Sequence, residues 1–321
     1  MKTLSIDVET YSGTNLARGG AYRYAAADDF ELLLFAYAVD DGPVHVVSTA
    51  TGEKVPDAVV TALTNPQVTK RAWNAQFERV VLSRWLHQLG HLPAGKYIDP
   101  AGWQCTMVWA SALGLPRALK DAGAALKLDE QKLDDGKELI QFFCAPTRGR
   151  AADAPALFDA DGLEHRNRPE SAPERWADFI EYCRRDVEVE TAIRRKLDAM
   201  PLPRFVWAEY EVDQRINDNG IRIDQTLAAA AIRADDAHRA HCLDEARELT
   251  GLPNPASPTQ LQAWLGEQGI AVASMAKQDV ADALETATGT ARRVLELRQD
   301  MSRSSTKKYE AMENAVCPDG R

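Results

Sequence analysis

All the segments that resemble β-strands lie before residue 74, and the segments after them resemble helices. The strand-like segments are short runs of apolar and β-branched residues between turn residues, at 3–8, 32–39, 43–49 and 68–73. Residues 55–64 have helical spacing, and a second helical pattern begins directly after the last strand and stops at Gly90. Such a chain must cover a small sheet with helices, so we predict an α/β fold with a sheet flanked by helices.

The rest of the chain is predicted to be helical. A long amphipathic helix follows Pro173 and ends before Pro201, because proline cannot continue a helix. Shorter helical patterns precede it at 106–115, 119–126 and 137–144, and further ones follow at 203–217, 226–249, 257–269, 276–285 and 290–312. We therefore predict two domains, an α/β domain at 1–202 and an all-helical part at 203–321. Residues 145–174 are rich in proline without periodicity, which predicts a surface loop.

The composition excludes several classes of protein. The chain has 38 Lys and Arg against 48 Asp and Glu, a net charge of −10, which argues against indiscriminate binding to nucleic acid or anionic membranes. Any basic contact surface must therefore be local. The five cysteines include no CxxC pair, and a reducing cytoplasm is the simplest setting for them. No apolar run approaches membrane-spanning length and no signal peptide is recognisable, so we expect a soluble cytoplasmic protein.

Two acidic residues stand out in the first predicted strand. Asp7 and Glu9 are two positions apart, so their side chains lie on the same face of the sheet. Two neighbouring carboxylates repel each other unless a cation neutralises them, and oxygen ligands suit Mg²⁺ or Mn²⁺. Two acids within three residues are also common at strand ends in water, so this pair alone indicates a metal site only weakly.

A second pair lies on the long predicted helix. Tyr182 and Asp186 are four positions apart and share one helical face, as a metal ligand beside a water-orienting phenol would. Taken singly, an aspartate on a helix is more often solvated, and a tyrosine is more often packed in a core. Glu78, which opens the helix after the fourth strand, completes a set of four acids in three separate segments.

The segments SIDVET, NAQFE and YCRRD, in this order, resemble the three motifs of the DEDDy 3′→5′ exonucleases. The resemblance implies a ribonuclease H-like, DnaQ-like fold that uses two divalent cations, Mg²⁺ or Mn²⁺. It implies that Asp7, Glu9 and Asp186 bind the cations directly, that Glu78 acts largely through water, and that Tyr182 orients the attacking water. The family usually has aspartate where this chain has Glu78, which makes Glu78 the least secure of the four acids.

The resemblance continues into the helical part. EYEVDQRINDNGIRID, SPTQLQAWLGEQGI and RVLELRQDMSRSSTKKYEAM resemble the thumb region of family A (Pol I-like) DNA polymerases, especially phage-encoded ones. The chain contains nothing like the metal-binding aspartate motifs of the palm, so we expect no polymerase activity from it alone. The expected setting is a longer chain that includes palm and fingers, with a separate nuclease polypeptide as the alternative.

The motifs also imply candidate contacts to DNA. Thr10, Asn74 and Phe77 flank the acids and are candidates for contacting the terminal nucleotides of a single-stranded 3′ end. Asn74 could instead cap a helix, and Phe77 could belong to the core. Arg303, Lys307 and Lys308 lie in a locally basic stretch that could contact the phosphates of primer-template DNA, or could be a solvated helix face.

The resulting hypothesis is a proofreading exonuclease that releases nucleoside 5′-monophosphates from DNA 3′ ends. Two alternatives stay open. A ribonuclease D-like RNA exonuclease would share the motifs and the chemistry, although the thumb-like sequence argues against it. A catalytically silent DNA-binding module, disabled by the exchange of aspartate for Glu78, is the second alternative.

Overall fold

The computed structural model describes residues 1–128, 136–146, 166–302 and 305–321. The chain divides into two compact units, Met1–Ile221 and Arg222–Arg321. The first unit contains the sheet and the second is helical. Most of the predicted loop at 145–174 lies outside the described residues, as does Arg303; the described remainder of the loop includes a single turn of 3-10 helix at Pro169–Ser171 and the start of a helix at Pro173.

One five-stranded sheet forms the centre of the first unit. Its strands are β1 (Thr3–Tyr11), β2 (Glu31–Val39), β3 (Val44–Ser48), β4 (Thr69–Ala72) and β5 (Trp103–Cys105), in the spatial order β3-β2-β1-β4-β5. β1 pairs antiparallel with β2, and β2 antiparallel with β3. β1, β4 and β5 run parallel. The sheet is therefore mixed, with β1 at its centre.

Helices cover both faces of this sheet. They are α1 (Leu16–Ala25), α2 (Asp57–Thr64), α3 (Ala75–Gln88), α4 (Thr106–Ala112), α5 (Leu119–Ala125), α6 (Gly136–Phe143), α7 (Pro173–Leu197) and α8 (Arg204–Asn219). Successive side chains of a strand point to opposite faces. Leu4, Ile6 and Val8 of β1 accordingly pack in the core that includes α3, whereas Tyr11 belongs to a second core with Phe143 of α6 and α7. The predicted α/β class and mixed sheet flanked by helices are confirmed.

The elements that sequence patterns missed are short or irregular. α1 contains Gly19 and Gly20, and Gly20 has a φ of 73°, so the helix is kinked and its apolar spacing is interrupted. β5 has only three residues and follows Gly102, whose φ is 79°. Three residues are too few to show strand periodicity, and their pairing with β4 is decided by tertiary contacts.

The second unit consists of α9 (Gln225–Thr250), α10 (Pro258–Glu267), α11 (Lys277–Thr286), α12 (Gly289–Met301) and α13 (Lys307–Ala315). The Asp224 side chain caps α9 by accepting a hydrogen bond from the Leu227 N–H at 2.9 Å. Apolar residues of α10, α11 and α12 form one core, and α9 packs on α12 around Cys242 and Leu297. None of the helices in the described part of the chain is long and apolar enough to span a membrane.

The compact units differ from the predicted domains in the placement of one helix. The predicted boundary lies between 202 and 203, whereas the compact units divide after Ile221. The difference is α8, which lies in the first unit, where its Asp218 is paired with the fully buried Arg79 of α3.

Candidate active site

The face of β1 that lies under α7 carries acids where the opposite face carries aliphatic side chains. Asp7 and Glu9 extend from this face, and Glu9 is 8% exposed. The thiol of Cys183 on α7 donates to Asp7 Oδ2 at 3.5 Å. Asp7, Glu9 and Cys183 each offer one ligand atom, and these three atoms lie within 4.8 Å of one another. The strand and the helix therefore meet at a point where acids are concentrated.

α7 brings Tyr182 and Asp186 to this point. Asp186 is 6% exposed and Tyr182 is 2% exposed. The Tyr182 hydroxyl lies beside the Asp186 carboxylate, and burial together with the negative charges of Asp186, Glu9 and Asp7 raises the pKa of Tyr182 well above its usual range. Tyr182 is therefore a neutral phenol, a donor held beside carboxylates.

Glu78 reaches the same region from α3. It lies in the first turn of the helix, just after β4, which is the parallel neighbour of β1. Its side chain is 5% exposed, and its Oε2 is buried without a hydrogen-bond partner among the described residues. Burial and the charge of Asp7 raise the pKa of Glu78 well above its ordinary value. The structure thus brings Asp7, Glu9, Glu78, Tyr182 and Asp186, the five residues of the predicted catalytic set, into one site.

The site fits a divalent cation in two respects. Its donors are mainly carboxylate oxygens, the ligands that Mg²⁺ and Mn²⁺ prefer. The buried Oε2 of Glu78 has no protein partner in the described ranges, and such an atom is costly unless a cation or water satisfies it. Asp7, Glu9, Glu78 and Asp186 are the residues that could hold the cations.

Two thiols belong to the site and were missed by sequence reasoning. Cys183 contacts Asp7, and Cys144 donates to Glu9 Oε2 at 3.7 Å. Burial, followed by the neighbouring carboxylates, raises the pKa of both thiols well above the ordinary value, so they stay protonated. Cys183 could have been found, because it lies three positions before Asp186 on a helix. Nothing in the sequence places Cys144 beside Glu9.

A further buried acid lies one helical turn beyond the site. Glu190 is 3% exposed and accepts a hydrogen bond from the hydroxyl of Thr106. Its charge contributes to the raised pKa of Glu78. The spacing of Tyr182, Asp186 and Glu190, four positions each, was the signal that could have identified it. Thr106 could not have been found, because α4 reaches Glu190 only through the fold.

The predicted nucleotide contacts have different surroundings. Asn74 precedes α3, is exposed, and makes no side-chain capping hydrogen bond. Phe77 is half-buried against the core, with its ring centroid 6.0 Å from that of Tyr24. Thr10 is buried, and its hydroxyl lies 3.0 Å from the Tyr24 hydroxyl. Asn74 is thus available to a ligand, whereas Phe77 and Thr10 also have packing roles.

The predicted backbone contacts lie in the second unit. Lys307 and Lys308 are exposed at the start of α13. Part of the basic stretch before them is neutralised, since Arg293 makes a bidentate ion pair with Glu245 at 2.6 and 2.9 Å. Arg292 pairs with Glu296 at 3.1 Å. The two lysines are therefore the more accessible part of the predicted basic surface.

The fold defines the class of protein first. A mixed five-stranded sheet in the order β3-β2-β1-β4-β5, flanked by helices, makes this an α/β protein. No family model matches the chain. Comparison with known proteins then shows that the chain is 44% identical, over 328 aligned residues and its whole length, to a DNA polymerase of Bacillus phage SP02. The chain is therefore a relative of part of a phage DNA polymerase, and it spans 47% of that polymerase.

Two solved structures are also similar. The polymerase domain of Pol1 from M. smegmatis, in complex with DNA primer-template and dNTP, superposes with a TM-score of 0.53 at 16% identity, covering 99% of this chain and 47% of that one. Escherichia coli RNase D, an exoribonuclease involved in structured RNA processing, gives a TM-score of 0.39 at 13% identity, covering 97% of this chain and 64% of that one. The first likeness supports the fold over nearly the whole chain.

Proposed function

We propose that this chain is the 3′→5′ proofreading exonuclease part of a family A DNA polymerase and releases nucleoside 5′-monophosphates from DNA 3′ ends. The observation that carries the proposal is the convergence of four acids and one tyrosine from β1, α3 and α7. Carboxylates of the same sign gathered in a buried site cost stability, which is typical of residues retained for chemistry. The relationship to a phage DNA polymerase supports DNA as the substrate.

In this proposal Asp7, Glu9 and Asp186 hold two divalent cations, Mg²⁺ or Mn²⁺, and Glu78 assists through water. When bound, the cations supply the positive charge that lowers the pKa of the attacking water and offsets the charge that develops on the phosphate. The Tyr182 phenol, which lies beside Asp186, orients this water. Attack on phosphorus forms a new P–O bond and breaks the P–O3′ bond, which leaves a 3′ hydroxyl on the shortened strand.

The substrate would enter as a single-stranded 3′ end. Asn74 is exposed beside α3 and is the best placed of the predicted nucleotide contacts; Phe77 follows it on α3, and Thr10 follows Glu9 on β1. In the second unit, Lys307 and Lys308, with Arg303, would contact the phosphates of primer-template DNA. The relative is about twice as long as this chain, so we propose that palm and fingers act with this part in a longer protein in the bacterial cytoplasm.

The first experiment measures shortening of a 5′-labelled single-stranded DNA with Mg²⁺ or Mn²⁺, for the wild type and for Asp7→Ala. We expect a ladder that shortens from the 3′ end and disappears in the variant. An RNA of the same sequence, run in parallel, should be cleaved more slowly. Preference for RNA would select the ribonuclease D-like alternative. Stoichiometric DNA binding without any shortening would select the silent DNA-binding module.

A further inference from the structure

Gly136, the first residue of α6, lies directly against the ring of Tyr182. A Cβ atom added at Gly136 would be 1.9 Å from Cε2, 2.5 Å from Cδ2 and 2.6 Å from Cζ of that ring. Real Cβ atoms do not approach other atoms so closely. No side chain can therefore be added at position 136 unless the Tyr182 ring or α6 moves.

The requirement for glycine at this position is spatial and not conformational. Gly136 is absent from the glycines with positive φ, so its backbone is one that any residue could adopt. Glycine is also a poor helix residue compared with alanine. The ring contact is thus the reason that the structure supplies for glycine at the start of α6.

Packing holds both the ring and the helix in place. The Tyr182 ring is 2% exposed and stacks on Phe179, with centroids 6.1 Å apart and planes 13° apart. Phe143, at the other end of α6, stacks on Phe179 at 5.3 Å and 18°. Leu139 of α6 is buried in the same core. The apolar residues that fix α6 on α7 therefore also fix Gly136 against the Tyr182 ring.

We infer that Gly136 is a positioning residue for Tyr182: its missing side chain lets the ring lie where the phenol meets Asp186. The kinetic consequence rests on the proposed exonuclease function, whereas the packing consequence does not. A side chain at position 136 would push the ring, and with it the hydroxyl, away from the neighbouring carboxylates. Displacement of a reacting or orienting group by about 1 Å is enough to slow an enzyme on the order of 100-fold.

The test uses four full-length proteins: the wild type, Gly136→Ala, Tyr182→Ala and the double variant. With 5′-labelled single-stranded DNA and Mg²⁺ or Mn²⁺, Gly136→Ala should lower kcat by about 10- to 100-fold and leave KM within about two-fold. In the Tyr182→Ala background the same change should have no further effect on kcat, because the ring is gone. Loss of kcat in both backgrounds, or in neither, would overturn the inference.

Thermal unfolding of the same four proteins needs no activity and tests the contact itself. Gly136→Ala should lower Tm by roughly 2–8 °C when Tyr182 is present, and should leave Tm unchanged or raise it when position 182 is alanine. Equal losses in both backgrounds would refute the contact. If the wild type shortens no DNA, the proposed function fails. The Tm values of the four proteins then test the contact between Gly136 and Tyr182 without any activity.

Gly123 on α5 provides a matched control. It is also a helical glycine packed against α7, but a Cβ added there would meet Val189 Cγ1 at 3.6 Å and Leu128 Cδ1 at 3.8 Å, which are ordinary contacts. Gly123→Ala should therefore leave kcat and KM unchanged. A loss of kcat in Gly123→Ala as large as that in Gly136→Ala would mean that any alanine in these helices disturbs the site, and would overturn the specific role of Gly136.

Discussion

Two adjacent residues of α3, Glu78 and Arg79, bury opposite charges in opposite ways. Glu78 lies among other acids, and its Oε2 has no hydrogen-bond partner within the described ranges. Arg79 is fully buried, and its Nη atoms donate to both oxygens of Asp218 at 2.6 and 2.8 Å, to Ile98 O at 2.8 Å and to Gln214 Oε1 at 3.3 Å. The Nε–H of Arg79 has no partner among the described residues, but its four Nη donations pair the guanidinium within the protein. One helical turn therefore contains an acid with an oxygen left for a ligand and a guanidinium that the protein itself pairs.

The comparison separates two reasons for burying a charge. Removing one partner of a buried ion pair with good geometry strongly destabilises the protein, because the other charge is left buried and uncompensated. A buried cluster of acids is destabilising while it is intact, and its members are replaceable in terms of stability but not in terms of chemistry. We call Asp7, Glu9, Glu78 and Asp186 the acidic cluster, and Arg79 with its acceptors Ile98, Gln214 and Asp218 the Arg79 cluster. Substitution in the acidic cluster should thus lower activity more than stability, and substitution in the Arg79 cluster should lower stability.

The largest effect is expected at the acidic cluster. Asp186→Asn keeps a polar oxygen beside Tyr182 but removes a carboxylate of the proposed cation site, so the proposed exonuclease activity should fall on the order of 1000-fold. Without added cations, Tm should not decrease, because one repulsive charge is gone. The measurements are DNA shortening rates and thermal unfolding, with the exposed Asp178→Asn on the same helix as control. A large drop in Tm would show that Asp186 is structural.

Substitution in the Arg79 cluster should lower the stability of the protein. Asp218→Ala leaves the buried guanidinium without its carboxylate and should lower the free energy of unfolding by about 3–5 kcal/mol. The control is Glu209→Ala, an exposed acid on the same helix, which should change stability by less than about 0.5 kcal/mol. Urea unfolding measures both. Equal stabilities of the two variants would contradict the assignment of a structural role to Arg79.

Divalent cations should stabilise the protein through the acidic cluster alone. At a free concentration of Mg²⁺ or Mn²⁺ about 100 times Kd, the wild type should gain about 2.7 kcal/mol. The gain should largely disappear in Asp186→Asn and persist in Asp218→Asn. Thermal unfolding with and without the cations measures this difference. Equal gains in all three proteins would place the cations elsewhere.

Lys70 on β4 is a third buried ionisable side chain, and the number of its hydrogen-bond partners lies between those of Glu78 Oε2 and Arg79. Its Nζ donates to Asn65 O at 2.8 Å, and burial lowers the pKa of Lys70 from 10.5 to about 8. Between these values the unfolded chain binds more protons than the folded protein, so stability rises with pH. Relative to Lys70→Met, the wild type should gain roughly 1 kcal/mol from about pH 7 to about pH 9. Urea unfolding at both pH values measures it, and a gain of the opposite sign would refute the lowered pKa.

Spacing along one element grouped the residues of the site in pairs, and the resemblance to the DEDDy exonuclease motifs joined these pairs with Glu78. Asp7 with Glu9, and Tyr182 with Asp186, share a face by the geometry of a strand and of a helix. The structure brings these pairs together with Glu78, and their catalytic roles stay predictions. The strands were predicted from the sequence except β5, and α1 was the helix of the first unit that no pattern indicated.

Contacts between distant segments could not be predicted in this way. Arg79 and Asp218 are 139 positions apart, and Cys144 and Glu9 are 135 apart. Neither pair has a periodicity that would connect its members. Position 136 is a similar case, because the sequence around it shows only a glycine at the start of a helix, and the ring that excludes a side chain belongs to α7.

The pairing of Arg79 with Asp218 also bears on how the protein can be dissected for expression. A fragment that ends at 202, where the sequence pattern changes, would lack Gln214 and Asp218 and would leave the buried Arg79 without its acceptors on α8. A fragment that ends after Ile221 retains α8 and coincides with the first compact unit. The shortest fragment that keeps both the acidic site and the α8 acceptors of Arg79 therefore extends at least to Asp218.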